Sequence, residues 1–155
     1  VAIEKMVFGA LRGMVAAGLM VPIGLWMLGG VSWDLSRLPL AMLCVVLGSC
    51  CGATVGMTIG AAVPPRRINI MFAVILAPIM FTGSSQFPWP QLVDLRWFQL
   101  ICAVNPLTYV SEGMRGALLP DVPHIPAWVC VLALLLSISA FGALGTKFFL
   151  RRALD

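Results

Sequence analysis

Long apolar blocks dominate the pattern of hydrophobic and polar positions along the chain. They run over residues 13–31, 38–63, 68–87 and 127–146, and within these limits none contains Asp, Glu, Lys, Arg or His. A helix that crosses the hydrocarbon core of a bilayer needs about 20 mostly apolar residues at 1.5 Å rise each. The pattern therefore predicts an all-α, polytopic membrane bundle of four transmembrane helices, forming one membrane domain over residues 1–155.

Composition supports lipid as the solvent of this chain. Hydrophobic residues make up 61% of it and charged residues 10%, and the mean hydropathy is +1.02. Soluble domains are roughly a quarter charged. The net charge of +4 does not indicate a nucleic-acid partner, because the basic residues lie between the apolar blocks instead of forming one patch.

The basic residues predict an orientation. If the N-terminus is cytoplasmic, the inner ends of the helices hold Lys5, Arg12, Arg66, Arg67, Lys147, Arg151 and Arg152. Arg37, Arg96 and Arg115 then lie outside. By the positive-inside rule we expect both termini in the cytoplasm. We expect the membrane itself to be a bacterial inner membrane.

The second block carries four glycines at a spacing of four: Gly48, Gly52, Gly56 and Gly60. Residues four apart share one helix face, and small residues there let helices approach closely in lipid. We expect this face to pack on a neighbouring helix of the same chain, and a seam to another subunit is the alternative. Pro64, Pro65, Arg66 and Arg67 follow as a cytoplasmic turn, which serves either as a membrane anchor or as a contact for a partner.

Residues 88–126 form an outer segment that is too apolar for a solvated loop. Asn105 and Pro106 suit the N-cap and first position of a short helix, and Glu112 and Arg115 lie three apart on it, close enough to pair. We predict short interfacial or re-entrant helices that dip into the outer leaflet with their backbone covered by protein.

The sequence offers no pattern for catalysis, a cofactor or a metal. It lacks the phosphate-binding and hydrolase motifs, the five cysteines have no metal spacing, and His124 stands alone as an ordinary surface residue. Ion-coupled transporters place an acid, histidine or lysine near the midplane of the membrane, and the four blocks contain none. We therefore predict a non-enzymatic subunit whose energy, if it moves a substrate, comes from a partner protein.

The stretch NPLTYV at residues 105–110, followed by Glu112 and Arg115, resembles the outer segment that precedes the last span in permease subunits of ATP-binding-cassette exporters of the type-2 family. Phe81-Thr82-Gly83 and Phe87-Pro88 are similar to that family's stretch after the fifth span. The resemblance implies that the four blocks are the third to sixth of six spans, so we expect the chain to be part of a longer protein.

The resemblance also implies partners and roles. It implies a pathway shared with a second permease subunit, expected to be another copy of the chain, and two separate ATPase subunits below. Pro64 to Arg67 would form a coupling turn toward the ATPase. Asn105, Pro106, Tyr109, Glu112 and Arg115 would lie in the outer re-entrant helices that cap the pathway. The leading hypothesis is thus an ATP-driven exporter subunit, and the rival is an assembly subunit that packs through its glycine face without transporting anything.

Overall fold

A computed structural model describes residues 2–28, 35–64, 70 and 72–154, and within these ranges the chain forms helices and no strand. Its three long helices are α1 (Ala2–Leu28), α2 (Leu38–Ala62) and α6 (Ala127–Leu154). At 1.5 Å per residue they are about 37 to 42 Å long, which exceeds the ~30 Å hydrocarbon core. The predicted all-α membrane bundle is confirmed.

The shorter elements lie between α2 and α6. They are a π-helical stretch Phe72–Leu76, α3 (Ala77–Thr82), a 3-10 helix Trp89–Asp94, α4 (Arg96–Val104) and α5 (Pro106–Leu118). A 3-10 turn Leu35–Arg37 precedes α2. The third predicted span, 68–87, is represented by Phe72–Leu76 and α3, and residues 65–69 and 71 lie outside the described part. Among the described residues, three helices are long and apolar enough to cross a membrane, so the fourth span stays a prediction.

The long helices begin or end close to the predicted bounds, with two differences. Helix α6 continues to Leu154, eight residues beyond the predicted end at position 146. Helix α1 begins at Ala2 and not near Gly13, so Arg12 lies within it. The guanidinium carbon of Arg12 lies 4.8 Å from the centroid of the Phe8 ring, one turn back toward the start of the helix. A long cationic side chain can keep its charge near the head groups in this way while its stem stays in lipid.

Small residues allow the long helices to approach closely where α1 and α6 cross α2. A Cβ on Gly13 of α1 would stand 3.0 Å from the Ser49 side chain of α2, and one on Gly145 of α6 would stand 2.9 Å from the Thr58 hydroxyl. That hydroxyl lies 2.8 Å from the Phe141 carbonyl of α6 and 2.8 Å from the Thr54 carbonyl of its own helix, so the two acceptors share its one proton. The crossings therefore depend on close backbone approach and one interhelical hydrogen bond, as expected in lipid.

Large apolar side chains cover the outside of the bundle. Trp26 is 84% exposed, Leu136 72% and Met20 68%, whereas Cys51 of α2 and Leu134 of α6 are buried. Helix α4 likewise exposes Val104 on one face. In water this much apolar surface would be very unfavourable, whereas it is expected for a bundle that lies in a membrane.

The start of α1 and the end of α6 lie at the same end of the bundle. The Lys5 ammonium is 5.5 Å from the centroid of the Phe149 ring. The two termini thus share one side, in agreement with the predicted topology. Which side of the membrane this is stays a prediction from the positive-inside rule.

Candidate functional site: the fastened outer segment

Helix α5 lies along the first half of α2, and glycines make the contact close. A Cβ on Gly48 would stand 2.9 Å from the Val110 side chain, and a Cβ on Gly113 would stand 2.7 Å from the Cys44 sulfur. Gly48 comes 10 residues after Leu38, the first residue of α2, or about 15 Å along the helix axis. Helix α5 therefore reaches well between the long helices, and it also packs on α6.

Glu112 is the centre of a buried polar cluster on α5. Its side chain is 0% exposed, its Oε1 accepts hydrogen bonds from the Trp89 backbone N–H at 2.9 Å and from the Arg115 guanidinium, and its Oε2 accepts one from the Ile125 N–H at 3.0 Å. Arg115 donates a further hydrogen bond to the Ser84 carbonyl at 2.9 Å. We call these five residues the outer clasp.

The outer clasp joins separate segments of the chain. Residues 84 and 89 belong to the stretch that follows α3, residue 125 belongs to the connection into α6, and the charged pair belongs to α5. A buried carboxylate is favourable only when it is paired and hydrogen-bonded, and both conditions hold here. The predicted pairing of Glu112 with Arg115 is therefore observed, inside the protein and not on an exposed helix face.

Asn105 fastens the start of α5 to the end of α3. Its Oδ1 accepts a hydrogen bond from the Leu107 N–H at 3.0 Å, which is the predicted N-cap, with Pro106 as the first helical residue. Its Nδ2 donates to the Ile79 carbonyl at 2.6 Å and to the Thr82 hydroxyl oxygen at 2.9 Å. The residue therefore caps one helix and bridges to another.

Two hydroxyl groups of α5 fasten it to α4. The Thr108 hydroxyl lies 2.5 Å from the Cys102 carbonyl and 3.1 Å from the Thr82 carbonyl, and the Tyr109 hydroxyl donates to the Ala103 carbonyl at 2.7 Å. Burial raises the pKa of the Tyr109 phenol, with a smaller contribution from Cys130. The phenol thus stays protonated and able to donate.

Some residues of this site carried no signal in the sequence. Ser84 is fully buried with φ 52°, a left-handed conformation that is unfavourable for most residues, and its hydroxyl has no hydrogen-bond partner among the described residues. Arg37 donates a hydrogen bond to the Gly116 carbonyl in the last turn of α5 at 3.1 Å. A cation there is favourable because the last carbonyls of a helix lack partners.

The glycine face of α2 is only partly occupied within the chain. Gly48 packs on α5, but no described atom outside α2 lies within 4 Å of the position that a Cβ would take on Gly52, Gly56 or Gly60. The expectation that the whole face packs within the chain is therefore met at Gly48 alone. The physical reason is that α1 and α6 bring glycines of their own to different sides of α2.

The remaining predicted residues are placed as follows. Pro64 follows the end of α2, whereas Pro65, Arg66 and Arg67 lie outside the described residues. His124 is half-buried instead of fully at the surface, because its ring packs against Gly116. The described residues hold no group of three or more potential metal ligands.

Four polar side chains of α5 thus bond to protein atoms and connect the outer segment to α3 and to the start of α6; they are those of Thr108, Tyr109, Glu112 and Arg115. The family described as ABC-2 type transporter matches residues 1–119, which include the charged pair of the outer clasp. The chain belongs to this family. It is a transmembrane component of an ABC transporter, and the predicted membership of this family is confirmed. Searches of curated proteins and of solved structures found no match.

Proposed function

We propose that this chain forms the substrate pathway of an ATP-driven exporter together with a second permease subunit, and that separate ATPase subunits supply the energy. The observation that carries the proposal is the family match over residues 1–119. The charge distribution supports it, since the apolar blocks contain no acid, histidine or lysine that could couple transport to an ion.

In this proposal α2 transmits movement between the two ends of the bundle. The turn at positions 64–67 follows its inner end and contacts the ATPase, and its first half packs against α5 through Gly48 and Cys44. Helices are stiff, so a displacement of the turn reaches α5 without a separate moving part. Because the outer clasp ties α5 to its neighbouring loops, the outer segment moves as a unit and caps the pathway.

The proposed coupling is tested by co-purification of the complete subunit in a mild detergent. We expect an ATPase subunit to be recovered with it, and charge reversal of Arg66 and Arg67 to glutamate to reduce that recovery. The matched control is Arg96→Glu, which makes the same kind of charge change in the outer segment and should leave recovery unchanged. Repeated failure to recover an ATPase contradicts the proposal.

The proposed role of the outer clasp has its own test. Arg115→Ala should reduce export while the subunit still inserts into the membrane and still binds its ATPase partner. Normal export by this variant would remove Glu112 and Arg115 from the functional site and leave them a structural role.

A second candidate function is that of an assembly subunit without transport activity. The open positions of Gly52 and Gly56 favour it, because a helix of another subunit could approach the backbone there. Replacing both by leucine separates the candidates. An assembly subunit would lose its complex, whereas an exporter subunit would lose transport and keep its associated ATPase activity.

A further inference from the structure

One residue of the outer clasp is unfavourable in two ways in the arrangement that the structure shows. Ser84 has φ 52°, in the left-handed region, where a side chain crowds the backbone and which glycine alone adopts freely. It is also 0% exposed, and its hydroxyl has no hydrogen-bond partner among the described residues. A buried hydroxyl without a partner is unfavourable, because it has lost its hydrogen bonds to water.

The surroundings of the Ser84 hydroxyl do not compensate for this loss. The hydroxyl is close to the Cys102 thiol: burial raises the pKa of this thiol, and the hydroxyl lowers it by a smaller amount. A thiol is a weak donor and a weak acceptor, so it replaces water poorly. The closed arrangement, in which the outer clasp is formed, therefore keeps Ser84 in a state that water would improve.

Helix α5 holds the chain around Ser84 at successive residues. Asn105 donates a hydrogen bond to the Thr82 hydroxyl oxygen at 2.9 Å, and Arg115 donates one to the Ser84 carbonyl at 2.9 Å. Between these two contacts, a Cβ on Gly83 would stand 2.9 Å from a side chain of α5. Unfavourable backbone conformations persist only where the surrounding structure imposes them, and here α5 does so.

We propose that Ser84 biases the outer segment toward opening. When the outer clasp breaks, Ser84 is free to leave the left-handed region and its hydroxyl is free to bind water, so the open arrangement gains what the closed one lacks. The ion pair and hydrogen bonds of Glu112 oppose this bias and keep the segment closed. The proposal rests on the proposed function only for the use of this opening in export, since the bias itself is a property of the single subunit.

The test measures amide hydrogen exchange in the complete subunit by mass spectrometry, with fragmentation that resolves single amides. The N–H groups of Trp89 and Ile125 donate to Glu112, so they exchange when the outer clasp opens. Ser84→Ala removes the hydroxyl and keeps the backbone conformation, and it should slow their exchange about fivefold, which corresponds to roughly 1 kcal/mol. Ser84→Gly also relieves the backbone and should slow exchange further.

The next residue supplies the matched control. Ser85 is exposed and its φ is outside the left-handed region, so Ser85→Ala and Ser85→Gly should not slow the exchange of either amide. Equal slowing in the variants of both serines would overturn the proposal, as would unchanged or faster exchange in Ser84→Gly. Faster exchange in Ser84→Ala would overturn it too, because the hydroxyl would then have a partner such as a bound water. None of these results depends on an ATPase partner, so this proposal and the proposed function fail separately.

Discussion

Removal of the Glu112 side chain should open the outer segment. In Glu112→Ala the Arg115 guanidinium, which is 12% exposed, loses its carboxylate partner, and the N–H groups of Trp89 and Ile125 lose their acceptor. Breaking a buried ion pair by removing one partner costs about 3–5 kcal/mol. The loss is local, since the crossings of α1 and α6 with α2 do not involve Glu112.

Native cysteines report this opening without added probes. Cys102 lies within the outer segment and Cys130 lies four residues after its end, and both are 0% exposed, whereas Cys51 near the middle of α2 is 1% exposed. If alkylation by N-ethylmaleimide occurs through local opening, a loss of about 3–5 kcal/mol should speed modification of Cys102 and Cys130 by roughly two to nearly four orders of magnitude. Cys51 should stay protected, and peptide mass spectrometry distinguishes the three sites.

The control for this prediction is Asp121→Ala, which removes an exposed carboxylate from the same outer segment. Its alkylation rates should match those of the unmodified protein. Unchanged protection of Cys102 and Cys130 in Glu112→Ala would refute the reasoning, because it would mean that apolar packing holds α5 in place without the outer clasp. Equal exposure of Cys51 would refute the claim that the opening is local.

Three further changes test the packing and hydrogen bonds of the bundle by its thermal unfolding in detergent. Gly113→Ala should lower the unfolding temperature, because its new methyl group would stand 2.7 Å from the Cys44 sulfur, and overpacking costs about 1–3 kcal/mol. The control is Gly52→Ala, which has open space around it and should be neutral or stabilising. Asn105→Ser keeps an oxygen that can cap α5 but loses the Nδ2 donors, so it should destabilise less than Asn105→Ala; equal losses would show that the cap contributes little. Thr58→Val should cost about 0.6 kcal/mol, and no change would mean that its hydrogen bond to α6 adds nothing measurable.

Periodicity and length were enough to predict the bundle. The ends of α2 and the start of α6 follow from runs of apolar residues, and the cap at Asn105 follows from an Asn-Pro pair, because these signals are local. The apolar run also placed the start of the first span at residue 13, whereas α1 begins at Ala2. Charged residues at positions 4, 5 and 12 interrupt the apolar run, but they do not prevent a helix whose long side chains reach the head groups.

The connections of the outer segment could not be predicted, because they depend on backbone groups far away in the sequence. The spacing of Glu112 and Arg115 predicts a pair on one helix, but nothing in the sequence indicates that the same carboxylate also accepts hydrogen bonds from Trp89 and Ile125. The glycine face shows the same limit. Regular spacing identifies a face that permits close approach, but it does not show which helix, if any, occupies it.

The most direct test of the account is the alkylation rate of Cys102 in the reconstituted complex of the complete subunit with its ATPase partner. If ATP hydrolysis by the partner subunit moves the outer segment, MgATP should change the alkylation rate of Cys102 when the partner is present. Without the partner, MgATP should have no effect on this rate. A proton gradient without nucleotide should leave the rate unchanged. An identical rate with and without hydrolysis by the bound partner, or a response to the gradient alone, would contradict the account.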